Sequence, residues 1–250
     1  MRVLLHGCNG KMGQVLTRII SQLDDMKVVA GVDRDPSKYN NNYPVYDSLL
    51  NVKEDVDVLI DFSNHTALDS ILEYGLNKNV ALVICTTGFT PEEKAKMRDA
   101  AKNIPILNSA NMSIGVNLLT KLLGQVAPVL YGDFDIEIIE KHHNQKLDSP
   151  SGTALMLADA INASLGNKLE YVYGRHSKTD KRQQNELGIH AIRGGAIVGE
   201  HSVIFAGAGE VIEINHSALS RDVFAYGAVR AARFLAEKEP GFYTMSNIIG

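Results

Sequence analysis

Gly7-Cys8-Asn9-Gly10-Lys11-Met12-Gly13 follows the apolar run Val3-Leu4-Leu5-His6 and precedes Val15-Leu16, Ile19-Ile20 and Leu23, which recur at helical spacing. A strand that hands over to a helix through glycines leaves backbone N–H groups and the positive helix end converging on the space above the turn, a seat for pyrophosphate. The G-x-x-G-x-x-G spacing is one residue looser than the usual dinucleotide fingerprint, and glycine turns alone are common. The context carries the reading: Asp33 ends the second predicted strand, 20 residues after Gly13, where a carboxylate can accept hydrogen bonds from ribose hydroxyls. A Walker-type loop is excluded, because Gly10-Lys11 is followed by Met12 rather than Ser or Thr, and no glycine lies five positions before Gly10. Arg34 follows Asp33; the carboxylate repels a 2′-phosphate while the guanidinium can pair with one, so both NADH and NADPH are expected to bind.

Working outward, strand character recurs at residues 3–6, 27–32, 57–61, 80–85 and 105–107, with helical spacing between most of them. This alternation predicts an α/β fold with a Rossmann-like, doubly wound parallel sheet. Near Asn111 the pattern changes. A long apolar helix over 114–130 is followed by a strand over 133–140, in which Phe134, Ile136 and Ile138 alternate with Asp135 and Glu137. A helix over 153–164 and strands over 187–193, 203–206 and 211–216 complete an inserted mixed α+β region. A last helix over 223–237 is stopped by Pro240-Gly241. The expected domains are 1–112 with 221–250 for the dinucleotide and 113–220 for the substrate. The charged segment from Gly174 to Glu186, with Arg175, Lys178, Lys181 and Arg182, reads as a solvated loop.

Composition narrows the function classes. The 250 residues are 45% hydrophobic with a net charge of −4, a globular composition without the basic footprint of a nucleic-acid binder. No apolar run reaches a membrane span of roughly 18 residues, and the N-terminus meets glycines before a signal-peptide core could form. The chain is therefore expected in the cytoplasm, with neither nucleic acid nor membrane as partner. The two cysteines, Cys8 and Cys85, lack framework or metal-ligand spacing and read as small packed residues.

Further turns fall at the edge of the sheet where ligands bind in doubly wound folds: Asp61-Phe62-Ser63, Cys85-Thr86-Thr87-Gly88-Phe89 and Ser109-Ala110-Asn111-Met112. The richest chemical cluster is Glu140-Lys141-His142-His143-Asn144-Gln145-Lys146-Leu147-Asp148-Ser149-Pro150-Ser151-Gly152-Thr153. Neighbouring histidines on a strand point to opposite faces, so a shared metal is disfavoured, and no metal site is expected. A histidine near neutrality is the usual proton donor, and Lys146, four residues on, can give a second proton or anchor a carboxylate. Ser151 is placed to cap the next helix, aiming the Gly152 and Thr153 amides outward at an anion. His190, His201 and His216 fall in predicted strands and read as structural.

In combination, Gly7-x-x-Gly10-x-Met12-Gly13, Cys85-Thr86-Thr87-Gly88-Phe89, Glu140-x-His142-His143-x-x-Lys146-x-Asp148-x-Pro150-Ser151-Gly152-Thr153-Ala154 and His190-Ala191-x-Arg193-Gly194-Gly195-x-x-Val198-Gly199-Glu200-His201 resemble the 4-hydroxy-tetrahydrodipicolinate reductase family of lysine and diaminopimelate biosynthesis. The likeness spans nearly the whole chain, in order. It implies an NADH- or NADPH-dependent reductase acting on a cyclic dicarboxylate, and a homotetramer built through the inserted domain. The cofactor would be lined by Gly7, Cys8, Asn9, Gly10, Lys11, Met12, Asp33, Arg34, Cys85, Thr86, Thr87, Ser109, Ala110, Asn111 and Met112. His142 and Lys146 would handle protons, while His143, Gly152 and Thr153 would hold the substrate carboxylates. Cys85, Gln145 and Arg175-His176-Ser177 depart from commoner family members without removing a proton donor. Another two-domain dehydrogenase, or a dinucleotide-binding redox sensor, would share the glycine turn but would not require the His142–Thr153 segment.

Overall fold

The computed structural model describes residues 1–250. The chain forms two compact units, Met1–Ile114 with Asp222–Gly250, and Gly115–Arg221. The first begins with β1 (Arg2–His6), α1 (Lys11–Ile20), β2 (Lys27–Val32), β3 (Val45–Tyr46), β4 (Val58–Asp61), α2 (Leu68–Lys78), β5 (Ala81–Ile84), α3 (Pro91–Ala100) and β6 (Pro105–Asn108). Helix α4 (Ile114–Leu130) leads into the second unit, with β7 (Asp135–His142), α5 (Gly152–Ser164), β8 (Glu170–Tyr173), β9 (Glu186–Arg193), β10 (Gly199–Ala206) and β11 (Val211–Ala218). The chain then returns to the first unit with α6 (Asp222–Leu235), β12 (Gly241–Tyr243) and α7 (Met245–Ile249).

The first unit holds a seven-stranded sheet in the order β12-β6-β5-β4-β1-β2-β3, with every pairing parallel. The order reverses between β1 and β4, the switch point at which α/β sheets bind ligands. Side chains alternate between faces. Val3, Leu5, Val58, Ile60 and Val83 pack with residues of α1 and α6 on one face, and Leu4, Leu59, Leu82 and Ile84 pack with α2 and α3 on the other. Helix α1 presents Gly13, Leu16, Ile19 and Ile20 inward, and α3 starts at a capping box in which Thr90 and Glu93 satisfy each other's amides, with Pro91 in the first turn.

The second unit is a five-stranded sheet, β11-β10-β7-β9-β8. It is mixed: β10 runs antiparallel to β7 and β11, whereas β9 runs parallel to β7 and β8. Leu119 and Leu123 of α4 and Leu157 and Ile161 of α5 cover Ile136, Ile138, Val203 and Phe205 on one face. The short strands β3, β8 and β12 and helix α7 were not read from the sequence. Two to four residues at a sheet edge carry too little periodicity to stand out. The segment expected to be a solvated loop is an exposed loop over residues 174–184, but two of its arginines are tied down. Arg175 bonds Glu186 and Glu137, and Arg182 reaches Asp135, Glu137 and the carbonyls of Ile136 and Glu186. No helix is long and apolar enough to cross a membrane.

Candidate active site

At the switch point, Gly7 has φ of +77°, and its amide donates to the Val32 carbonyl at 2.8 Å. A Cβ here would lie 2.7 Å from the Phe62 carbonyl, so the turn requires glycine on both counts. Gly10 is the N-cap of α1 and offers no side-chain cap, and the first turn holds no acidic residue, so the helix end stays available to an anion. Above it opens a cavity of about 540 Å³, lined by Gly7, Asn9, Gly10, Asp33, Arg34 and Lys38 among others. The Asp33 carboxylate is set at its rim by the Asn9 amide at 2.9 Å and the Asp35 amide at 3.2 Å.

A second cavity of about 290 Å³ shares Phe62, Ser63 and Asn64 with the first and adds His65, Cys85, Thr86 and Thr87. Between β1 and β4 the buried Asp61 meets His6 Nδ1 at 2.9 Å and the Ser63 hydroxyl at 2.6 Å. The uncapped helix end, the ribose-side carboxylate and the paired cavities suit a dinucleotide.

Not every residue expected at the cofactor reaches these cavities with its side chain. The Cys8 thiol is fully buried, and burial, helped by the nearby Asp33 charge, pushes it up to about 12. Only its backbone can serve a ligand. Cys85 is likewise driven well above its usual value by burial. Met112 lies in the core, its carbonyl so close to Gly227 that a Cβ there could not be accommodated. Lys11 is exposed, and Ser109–Met112 form a turn in which the Ser109 hydroxyl donates to the Asn111 carbonyl at 2.9 Å. Lys11, Met12 and Ser109–Met112 line neither cavity, whereas the buried Cys85 lies in the wall of the second.

The second unit brings the His–Lys segment together. Along β7 the residues Ile136, Ile138, Glu140 and His142 face inward. His142 Nδ1 lies 2.6 Å from Glu140 Oε2. Arg193 clamps both oxygens of that carboxylate at 2.7 Å, and the Ser151 amide donates to Oε1 at 2.9 Å. Burial opposes ionisation of Glu140, but the bonds from Arg193, His142 and Ser151 outweigh it and hold the carboxyl below its usual value.

Ser151 is the N-cap of α5, its hydroxyl accepting from the Ala154 amide at 3.2 Å, so Gly152 and Thr153 stand in the first turn as expected. Lys146 pairs with Asp148 at 2.8 Å, which lowers the Asp148 carboxyl. His201 packs edge-on against His142 with ring centroids 5.2 Å apart, its Nε2 lying 3.1 Å from the Ser151 hydroxyl. Burial pushes His201 down to about 4, so it stays neutral near pH 7. No cluster of three or more His, Cys, Asp or Glu side chains is arranged to hold a metal ion.

Glu140 and Arg193 join the site without having been singled out from the sequence. The available signal was the spacing: residues two apart on a strand share a face, which puts Glu140 beside His142.

Family models described as "Dihydrodipicolinate reductase, N-terminus" and "Dihydrodipicolinate reductase, C-terminus" match residues 1–112 and 115–249. The chain belongs to the dihydrodipicolinate reductase family. Among its relatives, the 4-hydroxy-tetrahydrodipicolinate reductase of Caldanaerobacter subterraneus is 53% identical over 249 residues, spanning 100% of this chain and 98% of the relative. The Clostridium botulinum enzyme of that name is 51% identical over 251 residues, at 100% and 98% coverage. A dipicolinate-bound dihydrodipicolinate reductase from Paenisporosarcina superposes with a TM-score of 0.84 at 27% identity, covering 99% of each chain. Corynebacterium glutamicum diaminopimelate dehydrogenase, at 15% identity and a TM-score of 0.60, shares the fold alone. The dihydrodipicolinate reductase family thus accounts for both units of the chain.

Proposed function

We propose that this oxidoreductase reduces 4-hydroxy-tetrahydrodipicolinate to tetrahydrodipicolinate in lysine and diaminopimelate biosynthesis, with NADH or NADPH. The observation that carries the reading is the cluster of His142, Lys146 and the capped N-terminus of α5 in a chain whose two units both match the reductase family. Two cation-capable groups and a positive helix end suit a small cyclic dianion.

Loss of water across C4 and the neighbouring ring carbon, which gives up a proton as the C4 hydroxyl leaves, yields a dihydropyridine, to whose C4 a nicotinamide dinucleotide, when bound, supplies hydride. Gly7, Asn9, Gly10 and the α1 amides would hold the pyrophosphate, with Cys8 in the same turn and Lys11 and Met12 opening α1. Asp33 accepts from the ribose hydroxyls, and Arg34 offers its guanidinium to a 2′-phosphate. Cys85, Thr86 and Thr87, with Ser109, Ala110, Asn111 and Met112, border the nicotinamide end. His142 and Lys146 deliver the proton taken up by the ring carbon next to C4. His143, Gly152 and Thr153 hold the substrate carboxylates, and a carboxylate arriving at Lys146 competes with the exposed Asp148 for the ammonium.

The family resemblance implies a cytoplasmic homotetramer built through unit two, and the exposed Tyr173, Ile192, Val211 and Leu219 of that unit support an association surface there. Sedimentation at the mass of one chain would refute that assembly, and recovery of the native protein in a membrane fraction would refute the location.

The substrate reading is tested by calorimetric titration of pyridine-2,6-dicarboxylate, a planar non-reacting dianion, into the dinucleotide-loaded protein. One site per chain is expected, weakened roughly tenfold or more in Lys146→Ala, about the loss of one charge-assisted bond. No binding to the unaltered protein would overturn the reading.

A further inference from the structure

The Glu140 carboxylate is fully buried, yet it accepts from four donors: His142 Nδ1, both terminal nitrogens of Arg193 and the Ser151 amide. A carboxylate clamped by a guanidinium is ionised, and an ionised carboxylate only accepts hydrogen bonds. The proton in the 2.6 Å contact therefore belongs to His142 Nδ1. Nε2 is left as the atom able to exchange a proton, and it lies beside Gly199, where a Cβ would sit only 3.0 Å away. The same carboxylate holds the Ser151 amide, immediately before the α5 turn that offers Gly152 and Thr153 to an anion.

We propose that Glu140, held by Arg193, is a positioning residue for the reduction: it fixes His142 in the Nδ1–H tautomer, aims Nε2 at the substrate, and sets the distance between that imidazole and the anion-binding end of α5. The inference rests on the reading of His142 as a proton-handling residue. Its physical basis is that proton transfer requires the correct nitrogen at the correct place, and a displacement of about 1 Å can lower a rate on the order of a hundredfold. The remaining charged or titratable neighbours are His201 from β10, edge-on to the ring, and Lys146 with its partner Asp148 from the loop after β7. None of them bonds Nδ1, so Glu140 alone sets the tautomer.

Neutron diffraction from crystals of the unaltered protein reads the tautomer directly. Deuterium on Nδ1 of His142 is expected, and deuterium on Nε2 with Nδ1 bare would overturn the proposal. Kinetics test the coupling. Glu140→Gln should lower kcat on the order of a hundredfold with dinucleotide affinity unchanged, whereas in a His142→Gln background it should change kcat less than about twofold, because residues acting as one unit are not additive. Full, multiplicative loss in both backgrounds would show a merely structural role and refute the proposal. Unchanged kcat in Glu140→Gln would refute it too. If Glu140→Gln fails to fold because Arg193 loses its partner, the double replacement Glu140→Gln with Arg193→Gln runs through the same cycle with the same expected outcomes. Full activity of His142→Gln alone would instead overturn the role of His142, and the positioning proposal with it, while leaving the family and substrate assignment standing.

Discussion

Gly13→Ala tests the nucleotide seat through its packing. A Cβ at residue 13 would lie 2.4 Å from the carbonyl oxygens of both Gly7 and Cys8 and 2.5 Å from Cys8 Cα. All three neighbours are backbone, so no side chain can rotate away. Restoring ordinary contact requires α1 to move roughly 1 Å from the turn, and overpacking of this kind costs on the order of 3 kcal/mol. Alanine returns about 1 kcal/mol through its helix propensity, leaving a net loss of about 2 kcal/mol. For a chain of this size that lowers the melting temperature by roughly 4–8 °C.

The first-turn amides of α1 move with the helix, so NADH affinity should fall at least about tenfold, the effect of 1.4 kcal/mol. Calorimetric melting and NADH titration measure the two effects. Gly124→Ala in α4 is the control, since a Cβ there meets nothing within 4 Å, and it should melt at or above the unaltered protein. The reasoning is refuted if Gly13→Ala retains both melting temperature and NADH affinity, or if Gly124→Ala is equally damaging.

Other expectations follow from single residues. Lys146→Ala should lower kcat at least about a hundredfold, the lower range for a positioned proton donor, and an unchanged rate would remove Lys146 from proton transfer. Because His201 lies near 4 in the folded chain against 6.5 unfolded, stability should be full above pH 6.5 and decline as pH falls from 6.5 towards 4, by at most about 3 kcal/mol. His201→Asn should flatten that part of a denaturant-midpoint-versus-pH curve, and an unaltered slope would show that His201 does not cause it. Arg34→Ala should weaken NADPH roughly tenfold more than NADH in paired titrations, and equal losses would deny Arg34 contact with a 2′-phosphate.

Much of this molecule is legible in its residues because local chemistry and tertiary packing agree. The run from Ile114 to Leu130 is apolar at helical spacing and is a helix over those residues. Ser151 reads as a cap and acts as one. What escaped was set by distant partners. Glu140 shares the inward face of β7 with Ile136 and Ile138 by simple alternation, but its partner is not visible in the sequence: the parallel pairing of β7 with β9 places Arg193 opposite His142. Arg175 and Arg182 read as solvated charges, but Glu137 lies near enough to hold both. Glu137 is reachable in turn because Gly188 on β9 leaves space for its carboxylate. Cys8 sits among cofactor-side residues in sequence, while its side chain points into the core against Gly31.

The most direct test supplies 4-hydroxy-tetrahydrodipicolinate, generated in situ by its synthase, to the purified protein with NADH or NADPH and follows loss of nicotinamide absorbance. Oxidation of at least one dinucleotide is expected, dependent on the substrate and matched one for one by tetrahydrodipicolinate. No oxidation of either, with the synthase shown to be active, would contradict it.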